Sequence, residues 1–235
     1  MRAIALSLCI AGMFSGCRSG STKGVALEHS IEQLIPGDTV MLAGARVEAM
    51  LTTPLYKRLS SNVQLVPELD SFSKRTGLDP RKDLKEFVIA SNGKDTIGIA
   101  QVQLESPEKL EALLEKEGLR RTAFGKYTLM AGDSSTVAFL GKTIAIAGPN
   151  EAVKRALSPP GDESRKNEVL KRVALLPAGK HFWVAAIGGS APMPLPETGN
   201  LANLARVFQS MESVTLTLDL QDGASLAVAG ECRKP

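Results

Sequence analysis

The stretch LIPGDTVMLAGAR, Leu34–Arg46, returns in altered form as LLPAGKHFWVAAIG, Leu175–Gly188. In each, a proline-marked turn feeds an apolar run of strand length. Each is then followed by helical sequence and by a hairpin. The first hairpin is EFVIASNGKDTIGIAQV, Glu86–Val102, and the second is VTLTLDLQDGASLAV, Val214–Val228. Asn92-Gly93 and Asp222-Gly223 sit between the apolar runs, where a tight hairpin turn demands positive φ angles that these residues accept. The repetition predicts two divergent β-α-β-β units; the alternative is coincidence between two short apolar strands.

Between the units lies TAFGKYTLMAGDSSTVAFLGKTIAIAG, Thr122–Gly148, with turns at Gly125-Lys126 and Gly141-Lys142, which reads as an antiparallel meander. Helices are fewer and carry start signals. In SPEKLEALLEKEG, Ser106 is placed to cap, Pro107 fits the first helical position, Leu110, Leu113 and Leu114 form one apolar face, and Gly118 ends the run. TPLYKRLS repeats the logic from Thr53 and Pro54, and LDPRKDL from Asp79 and Pro80. Two more helical segments, Asn150–Leu157 and Ser164–Val173, flank SPPGD, a loop because both prolines lack an N–H. The expected class is α+β, with antiparallel sheet or sheets and helices between them. The first unit, continued through the Ser106 helix and the Arg121 strand, has the element order β-α-β-β-α-β and resembles a ferredoxin-like split unit. The second lacks the closing helix.

The chain opens MRAIALSLCIAGMFSGC, with one charge at Arg2 and an uncharged run from Ala3 to Phe14. That is an export signal by charge and length, and too short to cross a bilayer, which takes roughly 20 apolar residues. FSGC, Phe14–Cys17, resembles the lipobox of bacterial lipoproteins, although Phe14 departs from its usual Leu. The resemblance implies diacylglycerol on the Cys17 thiol and a new N-terminus there; an ordinary cleaved signal and an uncleaved anchor are the alternatives. Arg18 stands where an inner-membrane retention signal would place Asp, so the same resemblance implies delivery to the outer membrane, facing the periplasm, where the host has one. RSGSTKGVALEHS then reads as a flexible tether. The expected organisation is a signal over 1–16, a tether over 17–30, a first unit with its meander over 31–157, a connecting loop and helix over 158–174, and a truncated second unit over 175–235.

IPGDTVMLAGARVEAMLTTPLYKRL, Ile35–Leu59, and TGLDPRKDLKEFVIASNG, Thr76–Gly93, resemble a group of uncharacterised exported bacterial proteins, a domain of unknown function. The likeness implies export and fold, and carries no catalytic motif.

Charge and composition exclude several classes. Lys and Arg total 28 against 25 acidic residues, a net charge of +3 that falls to +2 once Arg2 leaves with the signal, too little for a nucleic-acid partner. With Cys9 removed and Cys17 lipidated, Cys232 is left without a disulfide partner. Metal binding is not expected: there are 2 histidines, His29 in the tether and His181 at the head of an apolar strand, and no His-Glu-x-x-His motif or calcium loop. GDSS, Gly132–Ser135, is similar to the nucleophile block of GDSL-type esterases but falls between two meander strands, away from any histidine set to take the Ser134 proton. Ser-x-x-Lys, the opening element of penicillin-recognising enzymes, occurs at Ser71, Ser91 and Ser106 without its companion motifs. Glu115 and Glu117 lie on a charged helix face, Trp183 belongs to an apolar strand, and no phosphate-cradling loop is present, so no cofactor is expected. GGSAPMPLPETGN, Gly188–Asn200, sets Met193 and Leu195 in a proline-spaced segment that either folds back as a lid or faces out as a contact site. The whole predicts a lipid-anchored, non-catalytic binding or assembly component of the cell envelope, held to the membrane by its lipid and able to meet an envelope protein. A soluble periplasmic ligand-binding module with a cleft between the units is the alternative, and a hydrolase the third.

Overall fold

The two quoted stretches lie side by side. The computed structural model describes residues 24–60, 65–159, 167–188 and 210–232. In it Leu34–Arg46 contributes β1 (Met41–Ala45), and Leu175–Gly188 contributes the later strand Phe182–Ile187; the two pair antiparallel, Met41 opposite Ala186, Ala43 opposite Val184 and Ala45 opposite Phe182. Aligning Pro36 with Pro177 makes Ala43 and Val184 equivalent, so this central pair sits on a local two-fold axis. The backbone obeys it: the Arg46 N–H donates to the His181 carbonyl at 2.8 Å and the Ile187 N–H to the Val40 carbonyl at 2.9 Å, bonds that the axis interchanges. Two copies of one unit joined through the same strand give such a register.

The remaining elements follow in chain order. Ahead of β1 is α1 (His29–Glu32); after it come α2 (Val47–Thr52), α3 (Pro54–Ser60), α4 (Leu65–Thr76), α5 (Pro80–Asp83), β2 (Leu84–Ser91) and β3 (Thr96–Val102). Then α6 (Pro107–Lys116) leads to β4 (Arg120–Phe124), β5 (Tyr127–Ala131), β6 (Ser135–Leu140), β7 (Ile144–Pro149) and α7 (Asn150–Leu157). The second unit has α8 (Glu168–Leu175), β8 (Phe182–Ile187), β9 (Met211–Asp219) and β10 (Ser225–Cys232). All strands join one 10-stranded sheet in the order β10-β9-β8-β1-β2-β3-β7-β6-β5-β4, each neighbour antiparallel. The fold is α+β on a large antiparallel sheet.

The element order β-α-β-β-α-β of the first unit is present, but its strand neighbours are not those of a ferredoxin-like split unit. There, strands joined by a helix run parallel; here β1 and β2, joined through α2–α5, are antiparallel neighbours, and β4 lies at the far edge. The hairpin turns lie where the sequence places them, but positive φ is taken by their glycines alone, and Asn92 and Asp222 do not share it. Gly93, Gly125, Gly141 and Gly223 all hold φ between 56° and 127°, the region that costs glycine least. Asp79 accepts from the Arg81 N–H at 3.1 Å and Thr53 from the Tyr56 N–H at 3.1 Å, capping α5 and α3. The Ser106 hydroxyl instead donates to Glu108 Oε2 at 2.8 Å and leaves the backbone of α6 uncapped.

One sheet face carries the main core. Leu42, Val88, Ile99, Ile146, Leu129 and Trp183 are at most 1 % exposed, and residues of α1, α7 and α8 join them in one cluster. The outer half of the expected tether belongs to this core. Gly24 bridges Pro177, the Val25 N–H donates to the Leu176 carbonyl at 3.0 Å, and Val25 and Leu27 pack on the cluster. The tether therefore ends before Gly24, because those apolar side chains gain more against α8 than in water. Asn167 locks the same region. Its side chain accepts from the Val169 N–H at 2.9 Å to cap α8, and its amide donates to the carbonyls of Pro36, Gly37 and Thr39 at 3.2, 3.2 and 3.3 Å. The second unit's helix is thereby fastened to the first unit's proline turn.

Candidate ligand-binding groove

Where α7 stops, the core opens. The helix ends at Leu157 because Ser158 turns to extended backbone and Pro159, without an N–H, cannot continue it. The Ser158 hydroxyl closes the last turn, donating to the Lys154 carbonyl at 2.9 Å. Opposite that end, the β4–β5 hairpin turns at Gly125, φ 56°, which sets Phe124 and Tyr127 across from one another. Between these two and α1 lies a groove of about 900 Å³, within the size range of small-molecule sites.

Its floor is apolar: Leu34, Ile144, Ala156 and Leu157 are buried, with Leu140 beside them. Phe124 and Tyr127 form a half-buried wall. Ser30, Gln33, Lys126, Thr143 and Ser158 supply the polar part of the lining. Lys126 stands exposed at the mouth with its Nζ 5.2 Å from the Tyr127 ring centroid, close enough for a cation–π contact. Ser30, on α1, also lines the groove, with its Oγ buried and without a hydrogen-bond partner among the described residues.

The residues singled out from sequence fall elsewhere. Cys17, Met193 and Leu195 lie outside the described residues. Ser134 is exposed in the turn between β5 and β6, and Ser71 and Lys74 are exposed on α4. Ser91 is tied into its hairpin, donating to the Asp95 carbonyl at 3.0 Å. Of the carboxylates on α6, Glu115 pairs with Arg121 at 3.1 Å; Glu111, which the sequence did not mark, is buried and reaches Arg121 at 3.2 Å. His29 opens α1 rather than lying in a tether and contacts Gln33 Nε2 at 2.7 Å. His181 is 3 % exposed and its Nδ1 accepts from the Leu220 N–H at 3.1 Å, which leaves the other ring nitrogen carrying the proton in the neutral form. Beside it the Asp219 carboxyl is held below its usual value by Lys180, 2.8 Å away. Among the described residues no three His, Cys, Asp or Glu side chains gather as a metal set. The units meet through the β1–β8 ladder, and this groove is lined from α1, the meander and the end of α7.

In the sequence Gly125-Lys126 reads only as a turn and Leu157 only as the end of a helical segment. The available signals were aromatic residues on both sides of Gly-Lys, and an apolar helix end followed by Ser-Pro-Pro.

No family model matches the chain, and no curated protein matches it. Among solved structures, three crystal forms of a protein called TP0453 are similar. Form III shares 9 % identity with a TM-score of 0.50, over 86 % of this chain and 80 % of that one. Form I shares 10 % with a TM-score of 0.48, over 89 % and 81 %, and form IV 11 % with 0.46, over 82 % and 78 %. At such identity the first likeness speaks for the α+β fold alone.

Proposed function

We propose that the chain is a lipid-anchored, non-catalytic binding component of the bacterial cell envelope, and that it works by taking an apolar ligand with an anionic or hydrogen-bonding end into the groove. The observation that carries this reading is the groove itself: an apolar floor, an aromatic wall and, among the described residues that line it, one cation, Lys126. A long apolar body satisfies the floor, and the ligand's polar end satisfies Lys126.

The anchor fits this work. Cys17 is seven residues from Gly24, which is fixed against α8, so a lipidated Cys17 holds the domain within about 25 Å of the bilayer, near any ligand drawn from it. Two acyl chains suffice for this, at roughly 0.8 kcal/mol per buried CH₂.

The test uses the full chain purified from its own membranes and two fluorescent long-chain amphiphiles, one a carboxylate and one a quaternary ammonium. Saturable binding is expected, with the carboxylate preferred several-fold. Lys126→Glu should reverse the preference and Phe124→Ser should weaken both ligands. No saturable binding by the wild-type protein would overturn the groove reading. The anchor has its own readout: fatty-acid label should enter the wild type and not Cys17→Ser, and an unlabelled wild type would refute lipidation while leaving the groove untouched.

A further inference from the structure

The two edges of the sheet are treated differently. β4 is five residues long and carries Arg120 and Arg121, the second held by Glu111 and Glu115 of α6. Charge on so short an edge deters a further strand. β10 is exposed along all eight residues, with Leu226 62 % and Val228 59 % exposed on one face. It has no lysine or proline, and its one charged residue, Glu231, is drawn to Arg172 of α8 at 2.6 Å. Such an edge is a template for another strand.

The local two-fold axis shows what that edge can receive. It carries β3 onto β10, with Thr96 corresponding to Leu226 because Ser91 and Leu218 occupy the same place opposite β1 and β8. The outer edge of β3 is taken by β7, which pairs antiparallel along Gly98–Gln101. The corresponding residues of β10 are Val228–Glu231, and among the described residues no strand lies beside them.

We infer that β10 pairs with the β10 of a second copy of this chain, antiparallel, about a two-fold axis at Ala227. An axis normal to the sheet keeps each strand face on its own side. Leu226 then stands opposite the partner's Val228, and Ala227 opposite the partner's Ala227. On that second face Ser225 meets the partner's Ala229. Apolar groups therefore meet apolar ones and small groups meet small ones. Glu231 falls beyond the paired span, opposite the partner's Gly223, so no like charges oppose across the ladder. Cross-strand pairs of this kind stabilise a sheet. The apolar row continues inward through Leu216 and Leu218 of β9, which pair with Val228 and Leu226. Because the interface is isologous, assembly closes at two copies.

The test is a cysteine scan in the full chain, oxidised in its own membranes, with Cys232→Ser as background and baseline. Opposed residues in an antiparallel pair bring Cα atoms to about 4.5–5.5 Å, within disulfide range, whereas residues displaced by two positions lie about 7–8 Å apart. Ala227→Cys should form a covalent dimer at several times the baseline yield. Leu226→Cys and Val228→Cys should each stay near baseline alone and cross-link when mixed. Adding Val228→Lys to Ala227→Cys should abolish the dimer while leaving the melting temperature unchanged. Baseline yield at Ala227→Cys, a maximum at another position, or cross-links only to a different protein would overturn the inference.

Discussion

Gly44 is the position at which the joint between the two units can be tested most directly. It lies on β1 opposite Trp183 of β8, and a Cβ at Gly44 would come within 2.2 Å of Trp183 Cζ2, 2.3 Å of Cε2 and 2.7 Å of Nε1. The indole is fully buried, so it cannot swing into solvent to make room. Gly44→Ala would by itself gain about 0.5–1 kcal/mol from the stiffer backbone. Overpacking costs about 1–3 kcal/mol, and an overlap of more than 1 Å with a rigid ring belongs near the top of that range, so a net loss of about 2 kcal/mol is expected. Trp183→Leu removes all three crowding atoms, together with an indole N–H that has no partner among the described residues. Alone it should cost about 2–4 kcal/mol through the cavity it leaves. In its presence Gly44→Ala should become neutral or slightly stabilising, a coupling of about 2–3 kcal/mol between the two sites. Urea unfolding followed by far-ultraviolet circular dichroism measures all four proteins without relying on tryptophan emission. Gly44→Ala costs that are small, or equal in both backgrounds, would refute the register of β1 on β8 and the two-fold relation drawn from it.

Asn167→Ala should destabilise the protein by about 2–3 kcal/mol, because it removes a helix cap and the amide donor to the Gly37 and Thr39 carbonyls, while the Pro36 carbonyl still accepts from the Thr39 N–H; Asn167→Asp should not rescue it, since a carboxylate cannot donate to those carbonyls. Equal melting temperatures for wild type and Asn167→Ala would show that the clamp carries no weight. Glu86 on β2 has its carboxyl pushed above the ordinary value of 4.5 by burial, with Arg46 opposing and Glu28 reinforcing. The folded state therefore holds this proton more tightly than the unfolded chain, and ionisation costs stability as pH rises through 4.5 and beyond. Glu86→Gln should raise the melting temperature at pH 7 and lose that advantage as the pH is brought below 4.5. An advantage independent of pH would point to packing instead.

The sequence by itself determined what neighbouring residues decide. Hairpin turns at Asn92-Gly93 and Asp222-Gly223 follow from the φ angles their glycines accept, and the caps at Asp79 and Thr53 follow from hydrogen bonds spanning two or three residues. The duplication was equally legible, because Pro36 and Pro177 each precede an apolar strand, and so was the burial of Trp183 within the second of those strands. Tertiary structure alone decided which strands became neighbours. Nothing local distinguishes a β1 that is interleaved in a split unit from one that pairs β2 on one side and β8 on the other; both leave the same alternation of faces. The choice depends on contacts between residues more than a hundred positions apart, such as Asn167 with Pro36, whose gain must outweigh the entropy of closing the intervening loop. The groove has the same origin. Ser30, Lys126 and Leu157 have no relation in sequence, and they face one cavity only because α1, the β4–β5 turn and the end of α7 are brought together over the sheet. Even the exposure of Leu226 and Val228 is a tertiary fact: the corresponding strand in the first unit, β3, has its outer edge covered by β7 along Gly98–Gln101, whereas among the described residues no strand lies beside β10.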